Sequence, residues 1–281
     1  MKELQMTTPR RSFFGKIGLS LAAFFPILSA CAEPKQTTGT NAGDSESVKA
    51  LQKQLADLSH QMGSLQDMLA VRSLQHKYGY YIDKCLYNET VDLFAQDCEV
   101  RFLGGIFKGR AGARRLYIER FQKSFTGGYN GPVQGFLLDH LQLQDVVDVA
   151  PDRMTAWARF RTLMQAGNHK DSMAPTAQQD AEQSGIPRQW WEGGIYENTY
   201  AREDGIWKIK VLNYRPFWHA DFNSGWANTP PEFVPAFSTT FPEDPLGPDE
   251  LDPNYPGLWP VTDVVPFHYP HPVTGRMWEK A

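Results

Sequence analysis

The stretch Tyr78-Gly-Tyr-Tyr-Ile-Asp83 comes near the end of a long helical pattern and shortly before Phe94-Ala-Gln-Asp-Cys-Glu-Val-Arg-Phe102. Upstream of it apolar residues recur at the helical period, whereas Glu99 to Leu103 alternate as residues of a strand do. The chain therefore changes here from helix to sheet, with a phenol and a carboxylate on the last helical turns. Side chains of these types are suited to moving protons.

The composition is that of an ordinary globular protein. The chain has 281 residues, of which 41% are hydrophobic and 21% charged, enough for one large or two small domains. Its net charge of -4 lacks the basic excess of nucleic-acid binders, so no nucleic-acid partner is expected. Three cysteines are too few for a disulfide framework.

Residues 1–31 are predicted to be an export segment. Arg10-Arg11-Ser-Phe-Phe-Gly-Lys16 resembles a twin-arginine signal, and the apolar run after it, Ile17 to Leu28, is too short to span a membrane. Leu28-Ser-Ala-Cys31 resembles a lipobox, in which Cys31 is acylated. We expect a protein exported to the periplasm or outer cell surface, with membrane contact through this lipid anchor alone; the alternative is an uncleaved hydrophobic anchor.

Two segments precede the domain. Residues 32–47 have almost nothing to bury and are typical of a flexible tether. Residues 48–70 carry a heptad pattern that predicts a helix. The pattern indicates either a coiled-coil arm, and hence a homo-oligomer, or a helix lying on its own domain. The residues that form it are Leu51, Leu55, Leu58, Met62, Leu65 and Leu69.

Residues 71–216 alternate between helical and strand patterns in an order that predicts an α+β domain. Short helices are expected around Glu89–Ala95 and Ala111–Phe125, and antiparallel hairpins around the turns at Pro151-Asp-Arg153 and Glu203-Asp-Gly205. Asp-Gly is a strong hairpin signal because both residues tolerate positive φ. The predicted strands are Glu99–Leu103, Gln134–Val149, Met154–Gln165, Trp190–Arg202 and Ile206–Tyr214, with a polar excursion over 167–188.

Several ordered landmarks in residues 65–218 resemble the SnoaL-like branch of the NTF2-like superfamily. They are Tyr78 to Asp83, Leu93-Phe-Ala-Gln-Asp97, Phe107-Lys-Gly-Arg-Ala111, His140 entering a strand, and Gly194-Ile-Tyr-Glu-Asn-Thr-Tyr-Ala-Arg-Glu-Asp-Gly-Ile-Trp-Lys-Ile209. The resemblance implies a cone-shaped, curved antiparallel sheet with helices on one face, enclosing an apolar pocket and preceded here by a long N-terminal helix.

Members of this group include scytalone dehydratase, bile acid 7α-dehydratase, polyketide cyclases and formaldehyde-eliminating lyases of lignin-derived diarylpropanes. The resemblance implies a cofactor-independent enzyme without a metal. The sequence agrees, since it has no Gly-rich phosphate loop, no His-Glu-x-x-His helix and no Cys-x-x-Cys pair. His268 and His271 are close in sequence, but without a nearby third ligand a loop pair is favoured over a metal site.

The dehydratases of the group pair a tyrosine and an aspartate on the first helix with a histidine on a later strand. Tyr78, Asp83 and His140 occupy the matching places and are the predicted catalytic residues. Five residues apart on an ideal helix, Tyr78 and Asp83 point roughly 140° away from each other. Both reach one pocket only if the helix end lies along its wall or frays near Asp83.

Four further residues are candidates for substrate binding: Tyr81 as a second phenol, and Arg110, Arg159 and Arg161 as cations for a developing enolate or phenolate. Each has a structural alternative. Tyr81 suits core packing, Arg110 a salt bridge at a helix start, and the other two arginines exposed strand positions.

Cys85 and Cys98 lie on either side of the helix-to-strand junction. They form either a disulfide of an oxidising compartment or two buried free thiols.

The segment 217–281 differs from the rest. With Pro216 included, it holds 13 of the 20 prolines, which exclude long regular helices or central strands, and many aromatic residues. It is predicted to be an ordered arm that wraps its own domain or a neighbouring subunit, with or without covering the pocket mouth.

The predicted function is a lyase that eliminates water or formaldehyde from a bulky aromatic or polycyclic alcohol by acid/base catalysis. The alternatives are a lipoprotein that binds a small hydrophobic molecule without catalysis, and a ketosteroid-type isomerase. In each case the partner is a small hydrophobic or aromatic compound.

Overall fold

The computed structural model describes residues 42–183, 188–230, 236–253 and 255–279. The chain divides into two compact units, residues 1–50 and 51–281. Only residues 42–50 of the first unit are described, and they are helical. The predicted export segment and Cys31 lie outside the described residues, whereas residues 42–47, predicted as tether, form helix.

The described residues form helices and one large sheet. The helices are α1 (Ala42–Asp83), α2 (Tyr87–Asp92), α3 (Gly109–Arg114), α4 (Lys123–Thr126), α5 (Pro175–Gln183) and α6 (Gly225–Asn228), with a π-helical segment, Arg115–Gln122, between α3 and α4. The strands are β1 (Phe94–Phe102), β2 (Gly105–Lys108), β3 (Phe136–Val149), β4 (Thr155–Asn168), β5 (Gln189–Glu203), β6 (Ile206–Asp221) and β7 (Glu250–Leu251). Of the helices in these ranges, none combines the length and the apolar character that crossing a membrane requires.

The strands form one curved, unclosed sheet in the order β3-β4-β5-β6-β1-β2-β7. Neighbouring strands are antiparallel except β1 and β6, which are parallel. The prediction of an α+β fold with a long N-terminal helix and a curved, mainly antiparallel sheet is confirmed.

The two ends of the β5–β6 hairpin illustrate how local sequence shapes the sheet. Asp204 and Gly205 both have positive φ, 51° and 79°, as the Asp-Gly signal predicted. At the other end β6 continues to Asp221, beyond the predicted end at Tyr214. Pro216 is accommodated because it pairs with Gly194 beside a register shift, where a strand tolerates a missing N–H.

Helix α1 ends at Asp83 by a left-handed termination. Cys85 has a φ of 53°, and the N–H of Leu86 donates to the carbonyl of Tyr81 at 2.9 Å. A residue with positive φ after the last turn stops a helix by satisfying its free carbonyls. The carboxylate of Asp83 therefore sits on the last helical residue.

The core lies between the helices and one face of the sheet. Aromatic rings from both layers meet here: Tyr78 of α1 packs edge to face on Tyr117, Phe94 and Tyr196, and Tyr196 packs on Tyr214 at a tilt of 33°. Such contacts add specific geometry to the burial of large apolar surfaces. The interior of the fold is thus filled by packed aromatic and aliphatic side chains.

Asp67 fastens α1 to the ends of both hairpins. It is 4% exposed, and it accepts hydrogen bonds from Arg153 Nε at 2.5 Å and Trp207 Nε1 at 3.0 Å. Arg202 Nη1 lies 3.4 Å from Oδ1 of Asp67. Although burial raises the pKa of Asp67, these partners outweigh it and hold the pKa below its usual value.

We expect Asp67→Asn to lower the free energy of unfolding by about 1–2 kcal/mol at neutral pH, because both arginines keep partial access to water. A depressed carboxyl pKa contributes stability that is present above the unfolded pKa and lost as pH falls through the folded one. Chemical denaturation should therefore show the two proteins converging below about pH 4. A constant difference at all pH values would contradict this account.

Cys85 and Cys98 are both buried and free. Of the two alternatives, the structure contains the pair of buried thiols. Burial raises the pKa of Cys98 to about 11, so this thiol is protonated at neutral pH.

The described part of the C-terminal arm lies on its own domain. Ala236 N donates to Leu103 O at 2.9 Å, β7 pairs with β2, and Trp259 N donates to Phe217 O at 2.7 Å. Phe237 and Leu258 are buried. Because β6 extends to Asp221, the irregular arm begins later than predicted.

Candidate functional site

Asp83 and His140 meet where the end of α1 lies against β3. Asp83 Oδ1 accepts the backbone N–H of His140 at 2.7 Å and lies 3.1 Å from His140 Nδ1. The two side chains are 12% and 11% exposed. When Nδ1–H donates to the carboxylate, Nε2 keeps its lone pair and is free to accept a proton. The pair has the geometry of an oriented base.

A glycine makes this close approach possible. A Cβ atom at Gly79 would lie 2.8 Å from Cγ of Gln142, nearer than side chains pack. Gln142 in turn accepts a hydrogen bond from Gln75 Nε2 at 2.9 Å and donates to the carbonyl of His140 at 3.1 Å. The helix and the strand are therefore also held together on the Gln75–Gln142 side of the Asp83–His140 pair.

The pair opens onto a groove of about 410 Å³ along the free edge of the sheet. This volume is within the range of small-molecule sites. Its lining residues all belong to α1 and β3: His76, Gly79, Tyr80, Asp83, Asp139, His140, Leu141, Gln142 and Leu143. None of the arm residues is among them.

Glu192 lies behind His140 on the same face of the sheet. His140 pairs with Met164 across β3 and β4, and Met164 pairs with Glu192 across β4 and β5. Residues paired directly across strands point to one face. Glu192 is buried, and the hydroxyl of Tyr214 donates to its carboxylate.

Burial raises the pKa of Glu192 to about 7, against the opposing effects of the Tyr214 hydrogen bond and the charge of His140. Glu192 therefore changes its charge near neutral pH, within electrostatic reach of the base. A buried carboxyl with so perturbed a pKa is typical of functional sites. Sequence reasoning missed it. The available signal was a carboxylate set inside the apolar strand Trp190-Trp191-Glu192-Gly193.

Tyr78 lies in the aromatic core and not on the groove. Its hydroxyl is 2.9 Å from the hydroxyl of Tyr117, and burial raises its pKa well above the usual value. The helix does not fray, so Tyr78 and Asp83 point to different surroundings. Tyr81 is half-buried on α1. The catalytic role of Tyr78 and the binding role of Tyr81 stay predictions.

The arginines proposed for substrate binding lie away from the pair. Phe160 is buried in the core, so Arg159 and Arg161, its neighbours on β4, project from the opposite face. Arg159 donates to the carbonyls of Val265 and Pro266 at 2.8 and 2.6 Å and therefore holds the arm. Arg161 is exposed.

Arg110 forms an ion pair with Asp92 at 2.7 Å, the alternative considered for it. None of the three arginines lines the groove as described. Strand alternation, which the sequence contained, explains the placement of Arg159 and Arg161.

His268 and His271 take different partners. His268 Nδ1 contacts Glu197, while His271 Nδ1 accepts backbone N–H groups of Val273 and Thr274 at 3.2 Å. Within residues 42–183, 188–230, 236–253 and 255–279, no group of three or more potential metal ligands comes together.

A family model described as a SnoaL-like domain matches residues 63–213. A search of curated proteins returned no match to the chain. Among solved structures, a provisionally assigned scytalone dehydratase from Novosphingobium aromaticivorans DSM 12444 is 22% identical, with a TM-score of 0.43, over 56% of this chain and 89% of that one.

Two further solved structures are similar over comparable lengths. Hexachlorocyclohexane dehydrochlorinase LinA type 3 from Novosphingobium barchaimii LL02 is 17% identical, with a TM-score of 0.42, over 56% of this chain and 91% of that one. An NTF2-like protein with a cystatin-like fold from Novosphingobium aromaticivorans is 18% identical, with a TM-score of 0.40, over 62% and 94%. The region matched by the family model contains Asp83, His140 and Glu192.

Proposed function

Because this chain belongs to the SnoaL-like domain family, we propose that it is a lyase that eliminates water or formaldehyde from a bulky aromatic or polycyclic alcohol. The observation that carries the proposal is the contact between Asp83 and His140 beside the groove. In this contact Asp83 binds Nδ1 of His140, so Nε2 is the nitrogen available to act as the base. The groove has room for a small hydrophobic molecule.

In the proposed dehydration, His140 Nε2 removes a proton from the carbon next to the one that bears the hydroxyl. The electron pair of the broken C–H bond forms the new double bond, and the hydroxyl leaves as water after taking up a proton. In the aldehyde elimination the proton comes from a hydroxymethyl oxygen, and the carbon–carbon bond breaks to release formaldehyde. The electrons of that bond form the new double bond and expel the neighbouring hydroxyl, which takes up a proton and leaves as water. In either route the protein has only to accept and donate protons.

Charged groups around His140 support this step. Asp83 stabilises the imidazolium that forms when Nε2 takes the proton, and it holds the ring in one orientation. Glu192, when ionised, adds a second negative charge behind the ring.

The proposal places the enzyme outside the cytoplasm. The support is the order of motifs in residues 1–31, a twin-arginine pattern followed by an apolar run and a lipobox ending at Cys31. We propose export and a lipid anchor at Cys31. Labelling with a radioactive fatty acid precursor should mark the wild-type chain and not Cys31→Ser.

The activity test is incubation of the full-length protein with a panel of hydroxylated aromatic and steroid-like alcohols, followed by mass spectrometry. We expect a product that has lost the mass of water, or of formaldehyde and water together, formed at an undiminished rate in the presence of a metal chelator. A product of unchanged mass would identify an isomerase. Tight binding of panel members without any product would identify a binding protein and overturn the proposal.

A further inference from the structure

Helix α1 carries an apolar seam that no described residue of its own domain covers. Its six residues are 53% to 65% exposed, although large apolar side chains are normally buried. They follow the alternating three- and four-residue spacing of a heptad repeat. We use the name seam for Leu51, Leu55, Leu58, Met62, Leu65 and Leu69.

The domain is packed against a different face of the same helix. Gly63 lies against the guanidinium of Arg153, Asp67 is held by Arg153 and Trp207, and Val71 is fully buried. Residues two apart on a helix, such as Leu65 and Asp67, point about 200° apart. The seam therefore faces away from the described part of the domain, which favours the coiled-coil arm over a helix that covers its apolar residues with its own domain.

Along residues 51–62 the described contact with the domain is that of His60 Nε2 with the carbonyl of Pro151 at 2.8 Å, which leaves the seam residues uncovered. Residues 51–62 are exposed at every position. A helix of this length is marginal alone in water, and most helices are stabilised by packing of an apolar face. A partner along the seam would supply that packing.

The flanks of the seam indicate that the partner is a second copy. With Leu51, Leu58 and Leu65 at d, the e positions are Gln52, Ser59 and Gln66, and the g positions are Gln54, Gln61 and Met68. None of these is charged, so two identical helices meet without repulsion between like charges. The charged residues of the stretch, among them Lys53 and Asp57, lie on the outer positions.

We propose that residues 51–69 of α1 form a parallel, in-register coiled coil with the same residues of a second copy of this chain. Leucine occupies every d position, as in parallel two-stranded coils, while the a positions hold Leu55, Met62 and Leu69 in place of the β-branched residues common there. In this arrangement each seam residue meets its own counterpart, and the two domains lie at the same end of the coil.

Disulfide trapping in the full-length chain tests the proposal. Leu51→Cys and Leu65→Cys are each oxidised mildly and run on a non-reducing gel, with Lys53→Cys and Asp57→Cys as matched controls from the outer positions. Equivalent d positions in a parallel pair lie within the Cα separation that a disulfide bridges. We expect both seam variants to form dimers at least about tenfold faster than both controls.

Other outcomes overturn the proposal in distinguishable ways. Equal rates in all four variants would mean random collision. Dimers that form only when Leu51→Cys is mixed with Leu69→Cys would mean an antiparallel pair, because antiparallel helices place a d position opposite an a position. Trapping of the seam cysteines to another protein, and not to each other, would mean a different partner.

A second variant separates association from folding. Leu58 is exposed, so Leu58→Glu leaves the fold of a single copy intact, which circular dichroism checks. Added to Leu65→Cys, it should slow dimer formation at least about tenfold, because two glutamates would face each other in the seam. An unchanged trapping rate in a folded double variant would count against the coil.

Discussion

Replacing His140 by alanine is expected to lower the turnover number of the elimination about 10²- to 10⁴-fold, the range for loss of a general base. Substrate affinity should change far less, because only the proton transfer depends on Nε2. Asp83→Asn should also reduce turnover, since it keeps an oxygen near Nδ1 but removes the charge that stabilises the imidazolium.

The measurement is single-turnover kinetics on whichever panel compound is converted, together with a binding constant for each variant. His60→Ala is the matched control, because His60 is an exposed histidine on the far part of α1 whose Nε2 contacts the carbonyl of Pro151. A His140→Ala protein that turns over at the wild-type rate would show that the base lies elsewhere. If the wild type converts no compound and the His140→Ala variant only binds one more weakly, the result would favour the alternative of a non-catalytic binding protein.

Glu192→Gln is expected to remove a pH dependence of stability. In the folded protein the pKa of Glu192 is about 7, above its ordinary value of 4.5. Between these values the folded state holds a proton that the unfolded state has lost, so stability is fully present below pH 4.5 and is lost as pH rises through 7. The loss amounts to about 3 kcal/mol. Glutamine stays neutral and can still accept the Tyr214 hydrogen bond, so the variant should lack this loss.

The test is denaturant unfolding of the two proteins from pH 5 to 8, with the exposed Glu182→Gln as control. The wild type should weaken across this range relative to Glu192→Gln and be the less stable protein at pH 8. Parallel curves would show that Glu192 does not titrate in this window. In kinetics, the same variant should lose more activity at pH 8 than at pH 6, because only the ionised carboxylate stabilises the imidazolium; a purely structural role would lower activity equally at both.

Local sequence determined much of the fold. The period of the apolar residues gave α1, and alternation with the Asp-Gly turn gave the β5–β6 hairpin, because these signals depend on neighbours in the chain. The ends of elements were less predictable. Strand β6 continues beyond Pro216 because the register shifts at Gly194, its partner on β5, and accommodates the proline. Only the pairing of the strands shows this.

The candidate site was predicted only in part from the sequence. Asp83 and His140 were chosen by resemblance to a family, and their contact followed from how the end of α1 lies on β3. Arg159 was assigned to the site, yet it holds the arm on the other face. Because neighbouring residues on a strand point to opposite faces, the position of Arg159 next to the apolar Phe160 indicated that its side chain faces away from the core.

The sequence by itself determined the secondary-structure pattern, the heptad seam of α1 and the residue types available for proton transfer. Only the tertiary structure decided which of those residues lie close together in the same environment. Glu192 titrates near neutrality because burial between strands removes its water and places Tyr214 and His140 nearby. Such a shift arises from distant segments packed together, which no local period in the chain records.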